Sequence, residues 1–377
     1  MTQAVHDTSP DAAAMMRGYL QKIATGPEMS QDLSEEEART AMALILEGQV
    51  HPVQAGVFLI ALRMKRETDA ENNGALTAIR DATHAAIAPV DDMLDLSEPY
   101  DGFLRHLPAS PFLPVVLAAC GIPALAHGLQ RVGPKFGVTP HEILRAAGSG
   151  VELTPAEAAM RIADPAIGWA YVDQRHACPT LHDLVPLRDL IVKRPCITTV
   201  EGLAGPVRAR GRTHLVRGYV HEGYKAIYQS LAHRAGYASA LIIRGMEGGV
   251  MPLLNKAVTC CGYRSSGDRF EYSLDPNALG LGENPRAVPL PNDIAKTTSK
   301  SRPPGDTADM NAAMARAAVA AGVQALEGRP GPTRDSLIYA AAACLWHVNR
   351  YASLAEAAAA ATEAIDSGSA LARFYAL

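Results

Sequence analysis

Two short segments of this chain combine glycine with residue types that could contact an anion. Asp101-Gly102 ends a turn, and His127-Gly128 closes an apolar stretch, with Lys135 a few residues further on. Glycine lets backbone N–H groups approach an anion closely, and a lysine side chain supplies positive charge. The alternative for His127 is a hydrogen-bonded histidine at the end of a strand.

A basic cluster occupies positions 188–217. It holds seven Lys or Arg residues and two acids, a local charge of +5 in a chain whose net charge is −4. If residues 208–212 are extended, their three arginines share one face and could follow a phosphate backbone. The nucleic-acid-binding candidates are therefore Arg208, Arg210, Arg212 and Arg217. The alternatives are a solvated loop, or ion pairs with acids of a partner subunit.

Capping residues and hydrophobic periodicity predict helices first, then alternating strands and helices. Ser34, His51-Pro52 and Thr68 mark the starts of three N-terminal helices. Beyond about residue 88 the predicted strands are Met93–Leu96, Ile122–Ala126, Thr198–Val200, His214–Val220 and Ala240–Arg244. Helices between these strands predict a largely parallel, helix-covered sheet.

The C-terminal third is predicted to contain one long loop and two helices. Residues Asp275–Asp306 are rich in Pro, Gly and Asn, which predicts a surface loop. Thr333–Ala372 is rich in alanine and is predicted to form the two helices.

Several short motifs are spread along the chain from about Met15 to Phe374. They are Leu62-Arg63-Met64-Lys65, Asp101-Gly102, His127-Gly128, Glu142-Ile143-Leu144, Arg188-Asp189-Leu190 and Glu363-Ala364-Ile365-Asp366-Ser367-Gly368. In combination they resemble the anthranilate phosphoribosyltransferase family, which belongs to glycosyltransferase family 3 and has a nucleoside phosphorylase-like fold.

This resemblance implies an α/β fold with a small N-terminal helical domain and a larger α/β domain whose sheet is mainly parallel. It implies that residues 12–88 and 152–192 form the helical domain, and that residues 89–151 and 193–377 form the α/β domain. It also implies a homodimer that associates through the helices.

The chain departs from the family where the family binds phosphoribosyl pyrophosphate (PRPP). The family's Gly-Thr-Gly-Gly-Asp-Gly loop is here Ser97-Glu98-Pro99-Tyr100 before the retained Asp-Gly. Pro99 removes an N–H donor, Glu98 would repel pyrophosphate and Tyr100 adds bulk. The alternative is that this loop has only a structural role.

Two further motifs of the family are also altered. Ala126 and Leu129 replace the lysine and asparagine of its Lys-His-Gly-Asn turn. Its Asn-x-Ser-Thr helix start is here Pro108-Ala109-Ser110-Pro111, of which Ser110 could still cap a helix.

The family's magnesium ligands are replaced as well. Val250 and Met251 stand where the family has an adjacent Asp-Glu pair, after the matching Glu247-Gly248 turn. Neither side chain can ligate Mg²⁺ through oxygen, and Mg²⁺ neutralises the leaving pyrophosphate. We therefore expect no metal site and no cofactor.

The resemblance supplies the remaining candidate residues, and none of them is assigned a catalytic role. The candidates for a phosphate or phosphorylated ligand are Asp101, Gly102, Ser110, His127, Gly128, Arg131 and Lys135. The candidates on the acceptor side are Tyr171, His176 and Arg188. The guanidinium group of Arg188 suits an aromatic carboxylate, and the alternative is an interdomain ion pair.

Composition is that of an ordinary globular chain, with 48% hydrophobic and 20% charged residues. Its six cysteines form no C-x-x-C pair, which favours a reducing cytoplasm. Neither a leader nor a long apolar span is recognisable, so we expect no membrane partner.

The sequence therefore predicts a divergent anthranilate phosphoribosyltransferase-like protein that is not active in tryptophan synthesis. It is expected to bind a phosphorylated ligand or nucleic acid in the interdomain cleft. Two alternatives stay open. One is a glycosyl or phosphoribosyl transferase (a pentosyltransferase) with an altered site and an aromatic or nucleobase-like acceptor, and the other is a structural or regulatory dimer.

Overall fold

The computed structural model describes residues 10–26, 28–281, 285–294 and 307–376. Four helices come first: α1 (Pro10–Ile23), α2 (Glu35–Leu46), α3 (Pro52–Lys65) and α4 (Asp69–Asp81). As predicted, Ser34, His51 and Thr68 cap α2, α3 and α4 by accepting hydrogen bonds from backbone N–H groups. Gly74 lets α4 approach α2, since a Cβ there would lie 2.3 Å from the carbonyl oxygen of Glu35.

A seven-stranded sheet forms the centre of the rest of the chain. Its strands are β2 (Asp92–Ser97), β3 (Ala124–Gly128), β4 (Trp169–Asp173), β6 (Arg212–Tyr219), β7 (Ser239–Arg244), β8 (Val258–Tyr263) and β9 (Arg269–Leu274). Their order is β4-β3-β2-β6-β7-β8-β9. The first five are parallel, whereas β8 and β9 are antiparallel to their neighbours. Two short strands, β1 (Ala86–Ala88) and β5 (Val207–Ala209), pair separately in parallel.

The helices of this second part cover both faces of the sheet. They are α5 (Leu113–Ala119), α6 (Pro140–Ala146), α7 (Pro155–Ala163), α8 (Gln174–Ala177), α9 (Pro179–His182), α10 (Val185–Ile191), α11 (Cys196–Val200), α12 (Tyr224–Arg234), α13 (Ala308–Leu326), α14 (Pro332–His347), α15 (Leu354–Asp366) and α16 (Ser369–Tyr375). Short 3-10 helices lie at Ser110–Phe112, Glu201–Leu203, Met246–Gly248 and Pro276–Leu279.

Alternating strand residues face different cores. Leu94, Val216 and Leu241 belong to a core that α5 and α13–α16 cover. Leu215 and Ile242 belong to a core shared with α1–α4, α11 and α12. The predicted class is confirmed: a small N-terminal helical bundle precedes a larger α/β part with a mainly parallel sheet.

Some predicted elements differ from the structure. The strand predicted at Thr198–Val200 is wrong, because these residues end helix α11, which contributes Ile197 and Val200 to the core shared with the N-terminal helices. The C-terminal helices are three, α14–α16, rather than two. Of the predicted loop at Asp275–Asp306, residues 282–284 and 295–306 lie outside the described residues.

The segment 152–192, predicted to belong to the helical domain, divides between two regions. Helix α7 packs against β1 and β4, and β4 is a strand of the large sheet. Helix α10, in contrast, packs against α3 of the N-terminal bundle. The division into two domains at these boundaries stays a prediction.

No helix in the described part of the chain is both long and apolar enough to cross a membrane. All six cysteines are buried and free.

Candidate functional site

The candidate site lies at the carboxyl ends of three neighbouring parallel strands. Ser97 at the end of β2 is in register with His127 on β3 and with Arg217 on β6. Loops that follow parallel strands leave from the same edge of the sheet, which is where open α/β sheets bind ligands. The structure thus brings the rewritten 97–102 loop and the His127-Gly128 turn together.

The start of this loop is bonded to two other segments. The Ser97 hydroxyl donates to the carbonyl oxygen of Gly202 at 2.6 Å and accepts from Arg217. The Glu98 carboxylate accepts the backbone N–H of Val250 at 3.3 Å. Burial raises the pKa of Glu98 to about 7, so this carboxyl group titrates near neutral pH.

Tyr100 fills the site and ends a buried hydrogen-bonded chain. Its hydroxyl lies 2.6 Å from His127 Nδ1, and His127 Nε2 lies 2.7 Å from Asp95 Oδ1. Tyr237 donates to the other oxygen of Asp95 at 2.6 Å. Because a carboxylate only accepts, His127 Nε2 donates to Asp95. Burial raises the pKa of Tyr100 well above its ordinary value, which keeps the phenol protonated.

Asp101 is held by cations on both sides. Arg194 donates to Asp101 Oδ2 through Nε at 2.9 Å, and Lys135 Nζ lies 3.6 Å from Oδ1. Gly102 follows at a φ of 75°, and a Cβ there would collide with the carbonyl oxygen of Gly137 at 2.3 Å. The retained Asp-Gly pair thus anchors the loop.

Hydrogen-bond donors surround the buried carboxylate of Glu247. Lys135 lies between this carboxylate and that of Asp101. The backbone N–H groups of Leu104 and Arg105 donate to it, at 3.2 Å and 2.9 Å. His106 Nδ1 lies 3.1 Å away and Lys135 Nζ 3.5 Å away. Burial alone would raise the pKa of Glu247, but His106 and Lys135 outweigh it and hold that pKa far below its ordinary value. We call the donors of residues 104–106 and Lys135 the anion cradle.

The cleft beside Tyr100 is nearly closed. A cavity of about 10 Å³ remains between Tyr100, His127, Gln174 and Glu201. That volume admits about one water molecule. A ligand the size of a sugar phosphate therefore needs the cleft to open.

Comparison with known proteins identifies the family. Residues 17–83 match the helical bundle domain of a glycosyl transferase family, and residues 108–371 match its a/b domain.

The chain belongs to this glycosyl transferase family.

Its similar relatives are anthranilate phosphoribosyltransferases. The one from Thermomicrobium roseum is 30% identical over 369 residues, covering 95% of each chain. One from Rhodopseudomonas palustris is 27% identical over 359 residues, 95% of this chain and 96% of the relative. The fold matches anthranilate phosphoribosyltransferase from Saccharomyces cerevisiae in complex with PRPP and Mg, with a TM-score of 0.70, 13% identity and 96% coverage of both chains.

The residues of this chain do not fit the magnesium ion expected for the glycosyl transferase family. Val250 and Met251 are buried apolar side chains. The nearby carboxylates are engaged, since Glu247 lies in the anion cradle and Glu98 bonds Val250. Among the described residues, no group of three or more His, Cys, Asp or Glu side chains could hold a metal ion.

The three acceptor-side candidates have partners of their own or are enclosed. Arg188 is 1% exposed and forms a bidentate pair with Glu201 at 2.8 Å and 2.7 Å, which is the ion-pair alternative. His176 lies 2.9 Å from Glu152. Tyr171 is fully buried, edge-on to the ring of His141. The carboxylate expected from an acceptor is thus supplied to Arg188 by the chain itself.

The remaining ligand candidates are dispersed around the site. Arg131 donates to the Thr307 hydroxyl at 2.6 Å and lies over the Phe136 ring. Ser110 is buried beside Glu98 and does not cap a helix, contrary to the prediction, since the 3-10 helix begins at Ser110 itself. Gly128 faces Tyr171, whose hydroxyl a Cβ would approach to 3.2 Å.

The arginines of the basic cluster have partners within the chain. Arg208 stacks on Tyr237 at 3.8 Å from the ring centroid, and Arg217 is buried. Arg210 and Arg212 are exposed but pair with Asp91 and Asp92, at 3.4 Å and 2.7 Å. This arrangement favours the ion-paired alternative, with the acids supplied by the same chain.

Several residues of the site escaped the sequence-based assignment of roles. Asp95, His106 and Arg194 belong to no recognised family motif. Glu98 and Tyr100 stand out in the sequence only as departures from the family. Glu247 lies 142 positions from Arg105, and no spacing rule joins residues that far apart. The signal in the sequence was chemical, because the acid Glu98 and the phenol Tyr100 stand where the family has a glycine-rich loop.

Replacing Glu98 by Gln should change the pH dependence of stability. Below about pH 4.5 the Glu98 carboxyl is protonated in both states. Between pH 4.5 and 7 the folded state retains a proton that the unfolded state loses, so stability falls as pH rises. Relative to wild type, Glu98→Gln should gain about 3 kcal/mol between pH 4 and pH 8.

Urea unfolding across this pH range measures the difference. Glu36→Gln, at an exposed position of α2, is the control. A constant stability difference between Glu98→Gln and wild type at all pH values would contradict the assignment.

Proposed function

We propose that this protein is a divergent member of its family that does not transfer phosphoribosyl groups from PRPP. The observation that carries this proposal is the 97–102 loop. Ser97, Glu98, Tyr100 and Asp101 each bond to a different part of the chain, and the space for a sugar phosphate is filled. The unsuitable metal position supports the same proposal.

The proposed ligand is a phosphorylated molecule that binds without Mg²⁺ at the Lys135 side of the cleft. Lys135 is 10% exposed and lies between Asp101 and Glu247 at 3.6 Å and 3.5 Å. These distances exceed those of a strong charge-assisted hydrogen bond, so the ammonium group retains capacity for a closer anion. A small phosphate fits the donors better than a nucleic acid fits the paired arginines. The free, buried cysteines support a cytoplasmic location.

A second candidate is a transferase with an altered acceptor. The Tyr100–His127–Asp95 chain favours it, because a phenol bonded to a histidine and a buried carboxylate can move a proton. If the wild-type protein catalyses transfer to an acceptor and the His127→Gln variant does not, this second function is identified.

Purified protein should show no conversion of anthranilate or nucleobases with PRPP and Mg²⁺ above the blank. Anthranilate fluorescence and pyrophosphate release measure the reaction, with the Thermomicrobium roseum relative as a positive control. A tryptophan auxotroph lacking its own enzyme should not grow when it expresses this chain. Robust growth would refute the proposal.

Binding should be visible in the same preparations. Pyrophosphate at a hundred times its Kd should stabilise the protein by about 2.7 kcal/mol, seen as a rise in Tm. Lys135→Ala should abolish the rise, whereas Lys256→Ala, at an exposed lysine, should keep it. An unchanged response in Lys135→Ala would move the ligand elsewhere.

We also propose a homodimer through the N-terminal helices. Val53, Val57 and Met64 form an exposed stripe on α3, and Leu190 on the adjoining α10 is 80% exposed. Phe58 and Leu59, on the other side of α3, are fully buried in the chain's own core. A stripe of this kind on a monomer leaves apolar surface in water.

Light scattering at micromolar concentration should give about twice the chain mass of 39.9 kDa. Val57→Asp should shift the protein towards monomer, because it places a charge in the apolar stripe. Met160→Asp, at a similarly exposed methionine on α7, is the matched control and should stay dimeric. A wild-type monomer at all concentrations would contradict the proposal.

A further inference from the structure

The anion cradle surrounds one carboxylate with several positive and donor groups. Two backbone N–H groups, His106 and Lys135 surround Glu247, and Arg105 Nε lies 3.7 Å from Oε1. Only the Arg105 N–H, at 2.9 Å, is at the distance expected for a strong bond to an anion. The other contacts run from 3.1 Å to 3.7 Å.

Most of these contacts are longer than the shortest charge-assisted hydrogen bonds. A carboxylate has two oxygens in one plane, whereas a phosphate group has three or four oxygens arranged as a tetrahedron. The donors of the cradle come from one backbone segment on one side and from Lys135 on the other, so a tetrahedral anion can contact both at short distance. A doubly charged anion also balances the charges of Arg105 and Lys135 better than one carboxylate does.

The segment that carries Glu247 is built to adopt an unusual conformation. Glu247 has a φ of 53°, which side-chain-bearing residues seldom adopt, and Gly248 follows at 89°. A non-glycine residue in this region carries about 1 kcal/mol of strain. Glu247 and Gly248 are partly exposed, whereas Met246 packs against the core of the α/β part, so an outward movement of the whole tip removes that contact. The side chain of Glu247 is nevertheless 3% exposed, because it points inward to the cradle.

We infer that Glu247 is a built-in competitor for a phosphate group, which binds in the anion cradle when the 246–248 tip moves outward. The inference rests on the proposed phosphorylated ligand and adds its binding groups: the N–H groups of Leu104 and Arg105, His106 and Lys135. It also adds the control of access, because the internal carboxylate must leave before the ligand enters.

The competition by Glu247 can be measured as a change in the affinity for an external anion. A tethered group competes at an effective concentration in the millimolar range or above, so an external anion binds only to the fraction of molecules with an empty cradle. Removing the Glu247 carboxylate makes every molecule competent. We expect Glu247→Ala to bind pyrophosphate at least about tenfold more tightly than wild type.

Isothermal titration with pyrophosphate and with inorganic phosphate, without Mg²⁺, tests this inference. Glu247→Ala should gain affinity, and the double variant Glu247→Ala/Lys135→Ala should lose it again. Glu142→Ala removes a partly buried capping carboxylate from the same domain and should bind as wild type does. A folded Glu247→Ala protein that binds pyrophosphate no more tightly than wild type would overturn the inference.

Two further results separate this inference from the proposed function. If Glu247→Ala does not fold, Glu247→Gln decides, because it keeps the volume and removes the charge; unchanged affinity there overturns the inference. If wild type and Glu247→Ala bind equally and both depend on Lys135, the proposed ligand stands and the competitor does not exist. If only Glu247→Ala binds, the competitor is established, and the wild-type protein needs a separate event to open the cradle.

Discussion

The structure depends on neutralising positive charge within the chain at the carboxyl edge of the parallel sheet. Arg188, Arg194 and Lys135 lie at this edge, where Glu201, Asp101 and Glu247 balance their charges. Arg188 and Lys135 are largely buried, whereas Arg194 is half-exposed. A buried cation without a partner costs several kcal/mol, so Glu201 and Glu247 stabilise the closed fold.

Further contacts join helix α10 and the connection after it to loops at the carboxyl edge of the sheet. Asp101 belongs to the loop after β2, whereas Arg194 lies in the connection between α10 and α11. Asp189 on α10 accepts the backbone N–H of Gly133 at 2.7 Å. Opening the cleft therefore means breaking charged contacts as well as separating surfaces.

Local sequence signals recovered most of the fold. Ser34 and Thr68 cap their helices because capping involves residues three positions apart, and the alternation of strands and helices marked the sheet. Thr198–Val200 was misassigned because three β-branched residues favour a strand in isolation, while packing against the N-terminal helices favours α11. The hairpin β8–β9 was not predicted, although Ser266-Gly267 marks its turn and Gly267 has a φ of 88°.

The site was less accessible to sequence reasoning. The sequence showed that the 97–102 loop had changed and that the metal ligands were absent. It did not show what the new residues contact, because their partners lie far along the chain. From the sequence alone, Arg188 could bind a ligand or form an ion pair, and only its three-dimensional proximity to Glu201 separates the two. The arginines at 208, 210 and 212 are predicted to share a face only if the segment is extended, and Arg210 lies in the turn between β5 and β6.

The bond between Glu98 and the backbone of Val250 has an evolutionary consequence. Restoring an aspartate at position 250 alone would add a third carboxyl group beside Glu98 and Glu247, in a region that water barely reaches. Like charges at such spacing oppose one another, so the change would be harmful until Glu98 had also been replaced. The order of substitutions is thereby constrained, and introducing the family's acidic pair requires several coordinated changes rather than one.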